Sequence, residues 1–103
     1  MKEKLENRLK NLPTLEILIS KLNPSHQKEM TSISQIKEEF YKNEVKKRTK
    51  CYDLITFNFL KFNQREIVDF ILNELNNLKD ANATSSIPTG LRRLVVAYDI
   101  IYN

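Results

Sequence analysis

The residues with the widest chemical repertoire in this chain are one histidine and one cysteine, His26 and Cys51. Histidine can move a proton near neutral pH, and a thiolate is a strong nucleophile. A nucleophilic pair needs the two within hydrogen-bond reach, and a hydrolase triad needs a third group to orient the base. His26 stands in the polar run Asn23-Pro24-Ser25-His26-Gln27, and the sequence marks neither an acid nor a nucleophile beside it. Cys51 adjoins an apolar stretch and reads as a small buried hydrophobe. Metal sites need His, Cys or carboxylate ligands at fixed spacing. Glu38-Glu39 and the pair Glu66 and Asp69 are acidic neighbours, but no Glu-x-x-His completes them. A single glycine leaves no Gly-rich phosphate loop. The expectation is a protein that is not an enzyme, with no cofactor and no metal.

Charge points instead to binding. The net charge is +4. It concentrates in residues 42–50, where Lys42, Lys46, Lys47, Arg48 and Lys50 face Glu44 alone, while the rest of the chain balances. Such a patch attracts an acidic protein, a phosphate backbone or anionic headgroups. The bland reading is a solvated helix end. Tyr41 and Tyr52 flank the patch and offer stacking surfaces for nucleic acid. The Gly-containing turn of a helix-turn-helix is not visible near residue 45. A protein is therefore the first class of partner and nucleic acid the second, with contact at a membrane surface a further option. The five basic residues are the candidate partner-binding site. Oligomeric state is not legible.

These groups need a scaffold. A chain of 103 residues has the size of one domain. One Gly and three Pro are few for a sheet protein, which needs tight turns. Leu5, Leu9 and Leu12 mark a first short helix over 2–11. Pro13 interrupts it and opens a second, with Leu15, Leu18, Ile19 and Leu22 inward. Asn23 and Pro24 read as N-cap and first residue of a third helix, running to about residue 45 on the stripe Met30, Ile33, Ile36 and Phe40. The stripe lapses after Tyr41 and resumes with Cys51, Tyr52, Ile55, Phe59 and Phe62. One helix over 24–61 would be about 57 Å long, against a radius of gyration of about 13 Å for such a domain. A bend is expected within 44–50, with Lys46, Lys47, Arg48 and Lys50 exposed on it. A strand over 54–60 is the rival reading, since Ile55, Phe57 and Phe59 alternate with polar residues.

Asn63 and Glu66 form a capping box, and Phe62 with Ile67 a hydrophobic staple. The helix they open carries Ile67, Phe70, Ile71, Leu75 and Leu78, widened by Val68 and Leu72. A polar loop over 79–88 precedes a last helix capped by Thr89, with Gly90 in its first turn. Its stripe is Leu91, Leu94, Val95, Tyr98 and Ile101. The expected fold is an all-α, compact antiparallel bundle of four to five helices in a single domain. No apolar run is long enough to span a bilayer, and the opening MKEKLENRLK lacks the apolar core of a secretory signal. With a lone cysteine and no visible signal, the expectation is a cytoplasmic protein, in which the glycosylation sequon at Asn82 would stay idle.

The segment LKFNQREIVDFILNELNNL, Leu60 to Leu78, resembles the late helix of small bacteriocin immunity proteins of the enterocin A type. LISKLNPSHQKEM, Leu18 to Met30, is compatible with their helix-loop-helix start. The resemblance extends over about residues 15–80. It implies an antiparallel four-helix bundle that protects a producer cell from the cytosol, through a membrane receptor complex. The chain departs from that pattern at its end, where GLRRLVVAYDIIYN forms an apolar helix in place of an irregular tail.

Overall fold

A computed structural model describes residues 2–40, 42, 48–80 and 87–103. Five α-helices follow one another among these residues: α1 (Lys2–Ser20), α2 (Ile33–Phe40), α3 (Thr49–Phe57), α4 (Gln64–Asp80) and α5 (Thr89–Tyr102). Single 3-10 turns occupy Pro24–His26 and Phe59–Lys61. The protein is an all-α bundle, with a radius of gyration of 13.7 Å and a longest dimension of 41 Å. No strand occurs among the described residues, and 54–60 lies in α3 and the turn after it.

Two expected helices are one. α1 runs through Pro13. The ring removes the N–H that would bond the Leu9 carbonyl, a defect that costs about 3 kcal/mol or more. The chain absorbs it because Pro13 lies on the exposed side while Leu12, Leu15, Ile19 and Leu22 continue one apolar face past it. Leu9, expected inward, is exposed.

The helix expected over 24–45 does not form as one piece. Asn23 does cap, its Oδ1 accepting from Ser25 N at 3.0 Å, but the turn stops at His26. The reason is tertiary. Asn58, buried at the end of α3, takes the following backbone for itself: Met30 N donates to its Oδ1 (3.1 Å), and its Nδ2 donates to the Lys28 carbonyl (2.9 Å). A non-helical strap over 27–32 results, and α2 begins where Ser32 Oγ accepts from Gln35 N. α2 ends at Phe40 and α3 starts at Thr49, so no helix spans 24–61. The expected bend at 44–50 falls mostly outside the described residues.

The capping box is present. Glu66 N donates to Asn63 Oδ1 at 2.9 Å, and Asn63 Nδ2 donates to Glu66 Oε1 at 2.8 Å. Phe62 and Ile67 on either side are buried, as the staple requires. Of the expected α4 face, Ile67, Phe70, Ile71 and Leu78 are buried and Leu72 is exposed.

Helix α3 is the centre. Cys51 to Thr56 are all buried, and α5 packs along it. Gly90 makes the approach possible: a Cβ there would lie 3.2 Å from Tyr52 Cβ and 3.3 Å from the Thr49 carbonyl oxygen. The two helices run parallel, since Gly90 meets Thr49 and Tyr52, Arg93 meets Asp53, and Tyr102 meets Phe59. α4 returns between them in sequence, with Glu74 beside the start of α3 and Gln64 beside Tyr98 of α5. α1 packs on α5, with the Arg8 guanidinium 5.0 Å from the Tyr102 ring centroid. Thr89, expected to cap α5, is its first helical residue, and Pro88 holds the cap position.

Candidate functional site

α3 carries charge chemistry on two sides. On one side Glu74 of α4 has 0% of its side chain exposed. Arg48 Nη1 donates to both its oxygens (3.0 and 3.2 Å), Tyr52 Oη donates to Oε1 (2.9 Å), and Asn77 Nδ2 donates to Oε2 (3.3 Å). Several donors on a desolvated carboxylate offset the hydration it has lost. Burial, and next the Glu74 charge, push the Cys51 thiol up to about 12. The same two causes push the Tyr52 phenol well above its usual range. Cys51 is thus a protonated thiol held in the core, as its apolar neighbours suggested.

Arg48 is a correction. It was expected at an exposed bend, but its side chain is only 10% exposed and is bound to Glu74. The desolvated carboxylate opposite supplies the reason. Lys42 and Lys50 are exposed, and Lys46 and Lys47 lie outside the described residues. The parallel pairing of α3 and α5 brings a different set together. Lys50 stands in the first turn of α3, and exposed Arg92 with half-buried Arg93 stand in the first turns of α5, at the same end of the bundle.

The second side of α3 holds the residues that sequence reasoning missed. Asp53 is 1% exposed. Its Oδ2 lies 2.8 Å from His26 Nδ1, and Arg93 Nη1 donates to Oδ1 (3.1 Å) and Oδ2 (3.3 Å). An acid does therefore stand beside His26, from 27 residues away in sequence. A carboxylate already bound to Arg93 can only accept, so His26 Nδ1 carries the hydrogen of the bond they share. The signal that could have found Asp53 is its type: a charged residue inside the apolar run Cys51-Tyr52-Asp53-Leu54-Ile55 must be paired if that run is core. No serine, threonine or cysteine hydroxyl or thiol is hydrogen-bonded to His26 among the described residues.

A groove of about 560 Å³ lies between α2 and α4, lined by Ser32, Ile33, Lys37, Glu66, Asp69 and Phe70 among others. Its apolar floor, Ile33 and Phe70, is itself buried, and its walls carry both signs of charge, so it favours no ligand class. Neither His26 nor Arg93 lines it. Glu66 and Asp69 belong to this wall, and no cluster of three metal-ligating side chains occurs among the described residues. No described helix is long and apolar enough to cross a membrane. Comparisons with protein-family models, curated proteins and solved structures find no match for this chain.

Proposed function

We propose that the protein is a non-enzymatic binding module whose partner is an acidic protein surface, docked where α3 and α5 begin. The observation that carries this reading is the parallel α3–α5 pair. It gathers Lys50, Arg92 and Arg93 at one end. Clustered cations speed encounter with an acidic surface and fix its register. The resemblance of Leu60–Leu78 to bacteriocin immunity proteins gives the finer form of the proposal: a cytoplasmic protein that protects its cell by engaging a receptor complex.

Nucleic acid is the second reading, on the same cations. The Arg48–Glu74 pair counts against it, because it withdraws one of five candidate phosphate contacts into the core. One experiment separates the two. Capture from the source cell is run with and without nuclease, for wild type and for the double variant Lys50→Glu, Arg92→Glu. A defined partner held by wild type in the presence of nuclease, and lost by the folded variant, supports the protein reading. Capture that nuclease abolishes replaces it with the nucleic-acid reading. Expression in a bacteriocin-sensitive bacterium tests the finer form, which fails if survival under challenge does not rise.

A further inference from the structure

Between Pro24 and α2, local preference and tertiary pairing disagree. Asn23 caps and Pro24 opens a helix, yet the helical turn ends at His26. The next four residues, Gln27, Lys28, Glu29 and Met30, are all strong helix formers, and no Gly or Pro lies between Pro24 and Phe40. They run instead through the non-helical strap that leads into α2. Asn58 is what they meet there. It is 2% exposed, its Oδ1 accepts from Met30 N at 3.1 Å, and its Nδ2 donates to the Lys28 carbonyl at 2.9 Å.

Both of those backbone groups have a partner in the alternative. In a helix continued from Pro24, Met30 N would donate to the His26 carbonyl, and the Lys28 carbonyl would accept from Ser32 N. Asn58 therefore competes with helix for the same N–H and the same C=O. Once it lets go, it retains a bond of its own, from Nδ2 to the Leu54 carbonyl at 2.8 Å. The apolar residues do not oppose the change. Met30, Ile33 and Ile36 are buried as they stand, and steps of three keep them toward one side of a continuous helix as well. Against the change stand the Ser32 cap on Gln35 N and the Thr31–Gln35 side-chain bond, both exposed and replaceable by water.

We propose that residues 24–40 form a two-state element: turn, strap and short helix while Asn58 holds Lys28 and Met30, and one continuous helix when it does not. The device is independent of the protein-binding reading above. Conflicts between local preference and the global fold are where proteins keep functional freedom. A ligand that prefers either form shifts the balance.

Relaxation-dispersion NMR on the intact chain tests the device. The amide and Cα signals of 27–32 are expected to exchange with a minor state of about 0.1–10%, whose Cα shifts lie toward helical values. Two substitutions at exposed positions should move that population in opposite directions without touching Asn58 or the core. Thr31→Ala should raise it about threefold and Glu29→Gly lower it about threefold, by their differences in helix propensity. Asn58→Ala should make the helix the major form, seen as helical Cα shifts across 27–32 and stronger far-ultraviolet ellipticity. If that variant fails to fold, the two surface variants still decide. No exchange over 27–32, a minor state with the shifts of a disordered chain, or equal populations in Thr31→Ala and Glu29→Gly overturns the proposal. So does a folded Asn58→Ala whose strap stays non-helical.

Discussion

Asp53 and Glu74 are the same kind of group in two different settings. Both are desolvated carboxylates, Asp53 on α3 and Glu74 packed against it from α4, and each is bound by an arginine. Tyr52 and Asp53 are neighbours in sequence, about 100° apart around one helix, so α3 reaches the two carboxylate networks from different sides. Glu74 is closed in on every side and satisfied from within by Arg48, Tyr52 and Asn77. Asp53 is covered by two side chains whose far edges remain wet. A sealed network fixes which helix lies against which, and it contributes nothing at the surface. A network with a wet outer edge fixes position as well and keeps donors in reserve. That difference separates the structural ion pair from the candidate site.

The comparison breaks most visibly at Arg48. Arg48→Met strands Glu74 in the interior and should cost about 3–5 kcal/mol by urea titration. Replacing Glu74 by leucine in the same chain should recover most of it, since two apolar partners can substitute for a buried pair. Equal damage in the single and double variants would mean that Glu74 is not the reason.

Alkali probes the sealed side next. The Cys51 thiol sits near 12 in the folded chain against an ordinary 9.0. Below pH 9 folded and unfolded chains both hold the proton, and stability is at its full value. Between pH 9 and 12 only the folded chain holds it, so stability falls by about 1.4 kcal/mol per pH unit from this group. Tyr52 acts in the same direction. Urea midpoints at pH 8 and 10.5 should show the loss, and Cys51→Ala should reduce it.

On the open side the penalty shrinks. Arg93→Ala should cost about 1–2 kcal/mol, because water reaches the place it leaves and His26 still holds Asp53. A loss as large as that of Arg48→Met would show that the two networks are equally sealed. The smallest effect belongs to Lys42→Gln and Lys50→Gln, exposed positions that should change stability by less than about 1 kcal/mol. Binding, not folding, is where these two variants should register.

What the sequence makes legible follows the range of the interaction. The Asn63–Glu66 box spans four residues, and it forms where its spacing places it. The apolar stripe of Cys51, Tyr52, Ile55 and Phe59 is likewise local, and all four are core. The Asn23-Pro24 cap is local and forms, but the helix it opens stops after one turn: Asn58 captures Lys28 and Met30, and no window on residues 23–45 contains Asn58. Pro13 misled for the opposite reason. A rule about one residue was outweighed by a stripe that continues past it. The candidate site lies beyond periodicity altogether, because His26, Asp53 and Arg93 come from three separate elements that meet only when the Pro24–His26 turn and α5 both pack on α3. Arg48 shows the same limit, since the five basic residues within 42–50 look alike until a carboxylate 26 positions away selects one.

The packing of α5 also governs when the protein can exist. α5 lies on both α1 and α3, and it is the last of the five helices to be synthesised. At translation speeds of about 5–20 residues per second, α1 has emerged from the ribosome several seconds before the surface that covers it. Leu12, Leu15 and Leu18 wait through that interval without their partner. Until Leu91, Leu94 and Ile101 arrive, the nascent chain lacks the α5 surface on which α1 packs.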